Sequence, residues 1–294
     1  MLELDQAGTL RKIMDVAEIP SAHLGKSMRV ISVTSGKGGV GKSSVVSNLA
    51  LTLGKMGHRV LLLDGDFGLA NLDIMLDLRS RGTLHDVLKK GKSISDILVS
   101  AAPGVDVIPA SSGVLEMTNL GNQEKSRLLD CMQELEDQYD VLLIDTGAGI
   151  SDDVTWLNSS AGEVVVVATP EPTSVADAYA LIKVLSQKHR VKNFKLLVNQ
   201  AKTEHEGLRV YQQITGVADK FLHHVGIDYV GHVLWDECLT LAVRQRKPIV
   251  QSFPQAKASQ NFIQIADTLF SKAQERTAVN GSLQFFWKAL LGHA

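Results

Sequence analysis

Gly36-Lys37-Gly38-Gly39-Val40-Gly41-Lys42-Ser43 lies between an apolar run, Val30-Ile31-Ser32-Val33, and a segment from Ser44 to Met56 whose apolar residues Val45, Leu49, Leu53 and Met56 recur at helical spacing. The octapeptide fits the phosphate-binding pattern G-x-x-x-x-G-K-[S/T]. Its flanks predict a strand before it and a helix after it, the context in which that pattern becomes a site. Gly36, Gly38, Gly39 and Gly41 leave backbone N–H groups room to turn toward phosphate oxygens, with Val40 between them. The helix opening near Ser44 adds partial positive charge at the same point. In this pattern Lys42 reaches the β- and γ-phosphates of a nucleotide and the Ser43 hydroxyl ligates Mg²⁺. A glycine-rich turn without a ligand would leave the register of lysine and hydroxyl unexplained.

Two acidic strand ends accompany the loop. Val60-Leu61-Leu62-Leu63 runs into Asp64-Gly65-Asp66, and Val141-Leu142-Leu143-Ile144 runs into Asp145-Thr146-Gly147-Ala148-Gly149. Ligands of open α/β sheets gather at the carboxyl ends of strands. Asp145 followed by glycines has the form of a Walker B aspartate and a mobile phosphate-sensing loop. One such aspartate reads equally well as a solvated strand end or a helix N-cap; two beside a phosphate loop point to the site.

The chain has 294 residues, 45% of them hydrophobic, enough for one large α/β core. Apolar runs at 30–33, 60–63, 105–108, 141–144, 164–167, 194–198 and 229–234 alternate with helical patterns. They predict an α/β fold with a mostly parallel central sheet and helices on both faces. The formal net charge of −2 gives no bulk electrostatic reason for nucleic-acid binding; Arg244, Arg246 and Lys247 form the one candidate basic patch singled out. Cys131 and Cys238 make no C-x-x-C pair, which argues against an iron–sulfur carrier and for structural thiols in a reducing compartment. Residues 1–28 lack the continuous apolar core of a signal peptide, and no run reaches a membrane-spanning length. A cytoplasmic or at most peripheral protein is expected.

Lys37, directly after the first glycine, resembles the signature lysine of the deviant Walker A ATPases, the MinD/ParA group. The segment Asp64 to Asp73 is similar to that family's switch I, D-x-D-x-G-L-x-N-L-D. The resemblance implies ATP and Mg²⁺ as ligands, sandwiched in a homodimer in which Lys37 touches the nucleotide held by the other subunit. It further implies that Asp64 holds a water on Mg²⁺, that Asp66 orients the attacking water, and that Asp145 acts through the Mg²⁺ shell. Lys42, Lys37 and Asp66 are then the catalytic set. Asn199 falls where related ATPases read adenine, although an asparagine at a strand end also serves as a turn former. No arginine finger or strong base stands beside the loop, so slow turnover, completed by a partner or second subunit, is expected.

Three further segments narrow the resemblance to the FlhG (FleN) group. Asp5-Gln6-Ala7-Gly8-Thr9-Leu10-Arg11 matches its D-Q-A-x-x-L-R activator motif, ahead of a linker through about Ser27. Glu171 to Lys183 matches E-P-T-S-x-x-D-A-Y-A-L-I-K, by resemblance part of the dimer face, and otherwise an ordinary strand–turn–helix. Ser282 to Leu291 places Leu283, Phe286, Trp287 and Leu290 on one helical face, similar to a membrane-targeting helix. Packing of that face on the protein's own core is the competing reading. The division expected is a leader and linker at 1–27, an ATPase domain at 28–275, and a hinge and tail at 276–294. Partners implied are the SRP-type GTPase FlhF through Asp5, Gln6, Ala7, Leu10 and Arg11, flagellar C-ring proteins, a flagellar transcriptional activator in some members, and the inner membrane surface. No specific nucleic acid is expected. A MinD-like division-site regulator, a ParA-like DNA-positioning ATPase and a metabolic ligase or kinase are the alternatives.

Overall fold

The computed structural model describes residues 28–66, 72–79, 82–109, 122–271 and 286. Strands β1 (Arg29–Ser35), β2 (Val60–Gly65), β3 (Val99–Ala102), β4 (Val105–Ile108), β5 (Val141–Ala148), β6 (Glu163–Ala168), β7 (Asn193–Ala201) and β8 (Gly226–Leu234) form one sheet in the order β3-β4-β2-β5-β1-β6-β7-β8. All neighbours are parallel except β3 and β4.

All seven apolar runs fall in strands, and for the central ones the physical reason is visible in their side chains. Along β5, Val141 and Leu143 enter one core cluster while Leu142 and Ile144 enter another on the opposite face. Along β2, Val60 and Leu62 part from Leu61 and Leu63 in the same way. A parallel strand covered on both faces must be apolar at every position, which is why these strands read as continuous runs. The β3 edge strand was not expected. Its four residues are half-buried or exposed, and they pair antiparallel with β4 through a two-residue turn, so they carry no such run.

Helices α1 (Lys42–Lys55), α2 (Leu72–Met75), α3 (Leu84–Lys90), α4 (Asn122–Glu136), α5 (Asp152–Ser160), α6 (Pro172–His189), α7 (Glu204–Phe221), α8 (Glu237–Arg244), α9 (Ile249–Ser252) and α10 (Lys257–Ser271) cover the sheet. Val45, Val46, Leu49 and Leu53 of α1 share the first core with Phe262, Ile265 and Leu269 of α10. Leu181, Ile182 and Leu185 of α6 join Val210 and Ile214 of α7 over β6 and β7.

Phe286 takes the competing, core-packed reading in this conformation. Read as a lipid-facing residue, it is 0% exposed and packs in the cluster of Met28, Val30, Leu142, Ile144 and Leu157. The sheet face around Met28 offers a phenyl ring a dry surface within the molecule, and burying that ring is worth more than leaving it in water. Leu283, Trp287 and Leu290 lie outside the described residues, as do Asp5, Gln6, Ala7, Leu10 and Arg11.

Candidate nucleotide site

The phosphate loop joins β1 to α1 at the carboxyl edge of the sheet, between β5 on one side and β6 on the other. An open cleft of about 770 Å³ lies above it, lined by Gly38, Gly39, Val40, Gly41, Lys42, Ser43 and Ser44 of the loop. Asp66 just beyond β2, Gly147 and Ala148 from β5, Asp153 from α5 and Val243 from α8 are among its walls. Gly41 sits in the left-handed region at φ 84°, and a methyl group there would come within 2.5 Å of the Asn199 amide nitrogen. No other residue type fits that position without moving the loop.

Lys42 and Asp145 meet at the base of the cleft. Lys42 Nζ donates to Asp145 Oδ1 at 2.6 Å, with both side chains almost wholly buried. Burial pushes the Asp145 carboxyl above the usual carboxylate range, while the Lys42 charge and hydrogen bonds from Lys42 and Ser43 pull it back down. Asp64 and Asp145 stand opposite one another in the β2–β5 register. The Asp64 carboxylate accepts from Asp66 N at 3.1 Å through Oδ1 and from Leu72 N at 3.1 Å through Oδ2, which ties the start of α2 to the end of β2. In this conformation Asp64 is a brace for the segment expected to be switch I. Asp66 faces the glycine-containing stretch after Asp145: a methyl group on Gly147 would lie 3.8 Å from Asp66 Oδ1.

The donors converging here are oxygens, the Ser43 hydroxyl and the Asp145 carboxylate, with Asp66 on the cleft wall. Mg²⁺ is held by one or two such protein ligands together with substrate phosphates, so the residues fit it. Asn199 is 2% exposed and its Nδ2 donates to the Val40 carbonyl at 2.8 Å. That bond fixes the amide orientation and leaves Oδ1 buried with no partner among the described residues. Lys37 turns away from the cleft, its Nζ bonded to Glu171 Oε2 at 2.7 Å and Thr173 Oγ1 at 2.9 Å.

The model of the ParA family, described as NUBPL iron-transfer P-loop NTPase, matches residues 26–270. The antiactivator FleN of Pseudomonas aeruginosa is 40% identical over 266 residues, covering 90% of this chain and 94% of that protein. The chain belongs to the MinD/ParA family of P-loop ATPases. Within the family it groups with FleN and with the flagellum site-determining protein YlxH of Helicobacter pylori, 32% identical over 290 residues and 98% of each chain. MinD in the MinC:MinD cell division complex of Aquifex aeolicus superposes with a TM-score of 0.67 at 28% identity, over 85% of this chain and 99% of that one.

Gly38 to Ser44 and Asp66 thus line one cleft, with Asp145 and Asn199 bonded to its loop, while Gly36 rests on α6 and Lys37 points to Glu171 and Thr173. Asp153 and Val243 join the walls without having been read from the sequence. Asp153 sits in the first turn of α5, where an acidic residue is ordinary, and Val243 is a single exposed valine on a short helix, so neither carries a local signal. Arg244, Arg246 and Lys247 are all exposed at the end of α8. Cys131 and Cys238 are free thiols on the separate helices α4 and α8. No helix among the described residues is long and apolar enough to cross a membrane.

Proposed function

We propose that this MinD/ParA-family ATPase is an ATP-driven dimerising switch that regulates the number or placement of flagella. The observation that carries the dimer reading is the direction of Lys37. Its ammonium leaves its own cleft although its backbone belongs to the phosphate loop, and once released from Glu171 and Thr173 it can serve a nucleotide on another subunit. Lys42 supplies the cis positive charge, Ser43 and Asp145 hold Mg²⁺, and Asp66 orients water toward the γ-phosphate. Bound Mg²⁺ neutralises charge between the phosphates, and the protein's share of the work is positioning and electrostatics. The orphaned Asn199 Oδ1 is an acceptor for an exocyclic amino group, which adenine has at the position where guanine carries an oxygen.

The flagellar assignment rests on the likeness to FleN and YlxH and on the D-Q-A-x-x-L-R leader. In this reading the leader, through Asp5, Gln6, Ala7, Leu10 and Arg11, activates the GTPase FlhF. The tail, through Leu283, Phe286, Trp287 and Leu290, meets the inner membrane surface once Phe286 leaves the core. C-ring proteins and a flagellar transcriptional activator are the further partners. Leader (1–27), ATPase body (28–275) and tail (276–294) then divide output, switch and location between them.

Two measurements test the reading. Light scattering of the full chain with Mg²⁺ and ATP should give a dimer, and Lys37→Ala should lose it; a persistent monomer of the unaltered chain sinks the switch. GTP hydrolysis by FlhF should rise with a peptide of residues 1–20 and not with its Gln6→Ala version. No stimulation leaves an ATP-switched dimer with a different output.

A further inference from the structure

The arm of the phosphate loop that carries Lys37 is seated on the start of α6. A methyl group on Gly36 would lie 2.1 Å from the Asp177 carbonyl oxygen, so backbone rests directly on backbone there. Ser35 Oγ donates to the Lys37 carbonyl at 2.9 Å, which pins the loop on the other side. The helix start is pinned as well. Thr169 N donates to Ser174 Oγ at 2.9 Å, and Pro172 occupies the first turn, where its missing N–H costs nothing. Between these two fixed pieces, Lys37 Nζ spends two of its three protons on Glu171 Oε2 and Thr173 Oγ1.

We propose that Glu171 and Thr173 form a cis latch for Lys37, a positioning device that sets the threshold for dimerisation. The proposal rests on the reading that Lys37 acts across a dimer. A trans-acting lysine cannot serve a partner's phosphates while both acceptors of its own subunit hold it. The latched lysine is also kept from folding back onto the phosphates of its own nucleotide, where it would duplicate Lys42. Lys37 and Glu171 are both well exposed, with side chains 38% and 63% accessible. The latch is therefore weak, as exposed ion pairs are, and is opened by a γ-phosphate presented from the other subunit. Weakness is what a threshold needs, because a tight pair would block the switch. Each dimer must open two latches, so a latch of about two- to fivefold per subunit multiplies to about four- to 25-fold in the dimerisation constant.

Sedimentation equilibrium of the full chain with Mg²⁺ and saturating ATP tests this in Glu171→Gln, Thr173→Val, Lys37→Ala and the Lys37→Ala/Glu171→Gln double variant. Glu171→Gln is expected to lower the dimerisation midpoint by about four- to 25-fold, with Thr173→Val moving it in the same direction by less. The gain should shrink between 50 mM and 500 mM NaCl, roughly as Debye screening of exposed charges requires. Because Lys37→Ala is itself expected to be monomeric, the double variant should be monomeric too, whereas a merely structural role for Glu171 would leave the Glu171→Gln gain insensitive to salt. If Lys37→Ala abolishes dimers but Glu171→Gln leaves the midpoint unchanged or raises it, the latch is overturned and the trans lysine stands. A Glu171→Gln gain that persists without Lys37 also overturns it. Lys37→Ala dimers equal to the unaltered protein's remove the trans reading, and the latch with it.

Discussion

Asp145 Oδ1 accepts a 2.6 Å hydrogen bond from Lys42 Nζ, and each side chain is the other's principal charge partner in a nearly dry pocket at the end of β5. In the proposed reading the pair joins the loop that would hold phosphates to the strand that would hold the metal. On that reading both groups would let go of each other when a nucleotide arrives, Lys42 toward the phosphates and Asp145 toward Mg²⁺.

That pairing has a pH signature. Burial raises the folded-state Asp145 carboxyl above its unfolded value despite Lys42, so the folded protein binds this proton at higher pH than the unfolded chain does. The corresponding stability is present in full below the unfolded value and is lost as pH rises through the folded one. In thermal melts of the nucleotide-free protein, the stability difference between the unaltered chain and Asp145→Asn should therefore fall as pH rises from the ordinary carboxylate range toward neutrality. Mg²⁺–ATP affinity should move oppositely, weakening as pH falls, because the metal needs the carboxylate. A flat stability difference would mean that Asp145 does not titrate differently on folding.

Asp66 lines the cleft without holding Lys42 or the loop, so its loss should spare binding. Asp66→Ala is expected to keep ATP affinity within about threefold, to cut hydrolysis by about 100-fold or more, and to accumulate the ATP-bound dimer. Single-turnover hydrolysis and light scattering on the same sample decide it; a variant that stays monomeric with saturating ATP removes Asp66 from the hydrolytic step.

Asn199 serves two neighbours. Its Nδ2 supports the phosphate loop at Val40 and its Oδ1 waits for a donor. Asn199→Ala should weaken ATP binding about tenfold and reduce the preference for ATP over GTP, since a buried acceptor that rejects a guanine oxygen is gone. Calorimetry with non-hydrolysable ATP and GTP analogues measures both. Equal losses for the two nucleotides would leave Asn199 as a loop brace only.

Phe286 lies in the core in this conformation. Phe286→Ala should cost about 3–5 kcal/mol, read from urea unfolding at 25 °C, as removal of a buried phenylalanine does. A cost under about 1 kcal/mol would mean that the ring contributes little packing.

How much of this was legible in the chain depends on the range of the interaction. The central strands could be read because a strand buried on both faces must be apolar throughout, as in Val60 to Leu63, and the loop from Gly36 to Ser43 because phosphate binding needs its residues in a fixed local register. Asp145 stood out for the same local reason, ending an apolar run just before glycines. The β3 edge had no such pattern, since four half-exposed residues need not be apolar. Lys37 announced itself by position, but its partner Glu171 lies 134 residues away, and only the β1–β6 pairing brings the two together. The tail shows the same division most plainly. Helical spacing put Leu283, Phe286, Trp287 and Leu290 on one apolar face, and that face suits lipid or protein equally. Spacing sets which residues share a face because it follows from the pitch of one helix. What Phe286 meets depends on where distant strands leave a dry surface, and only the tertiary structure decided that.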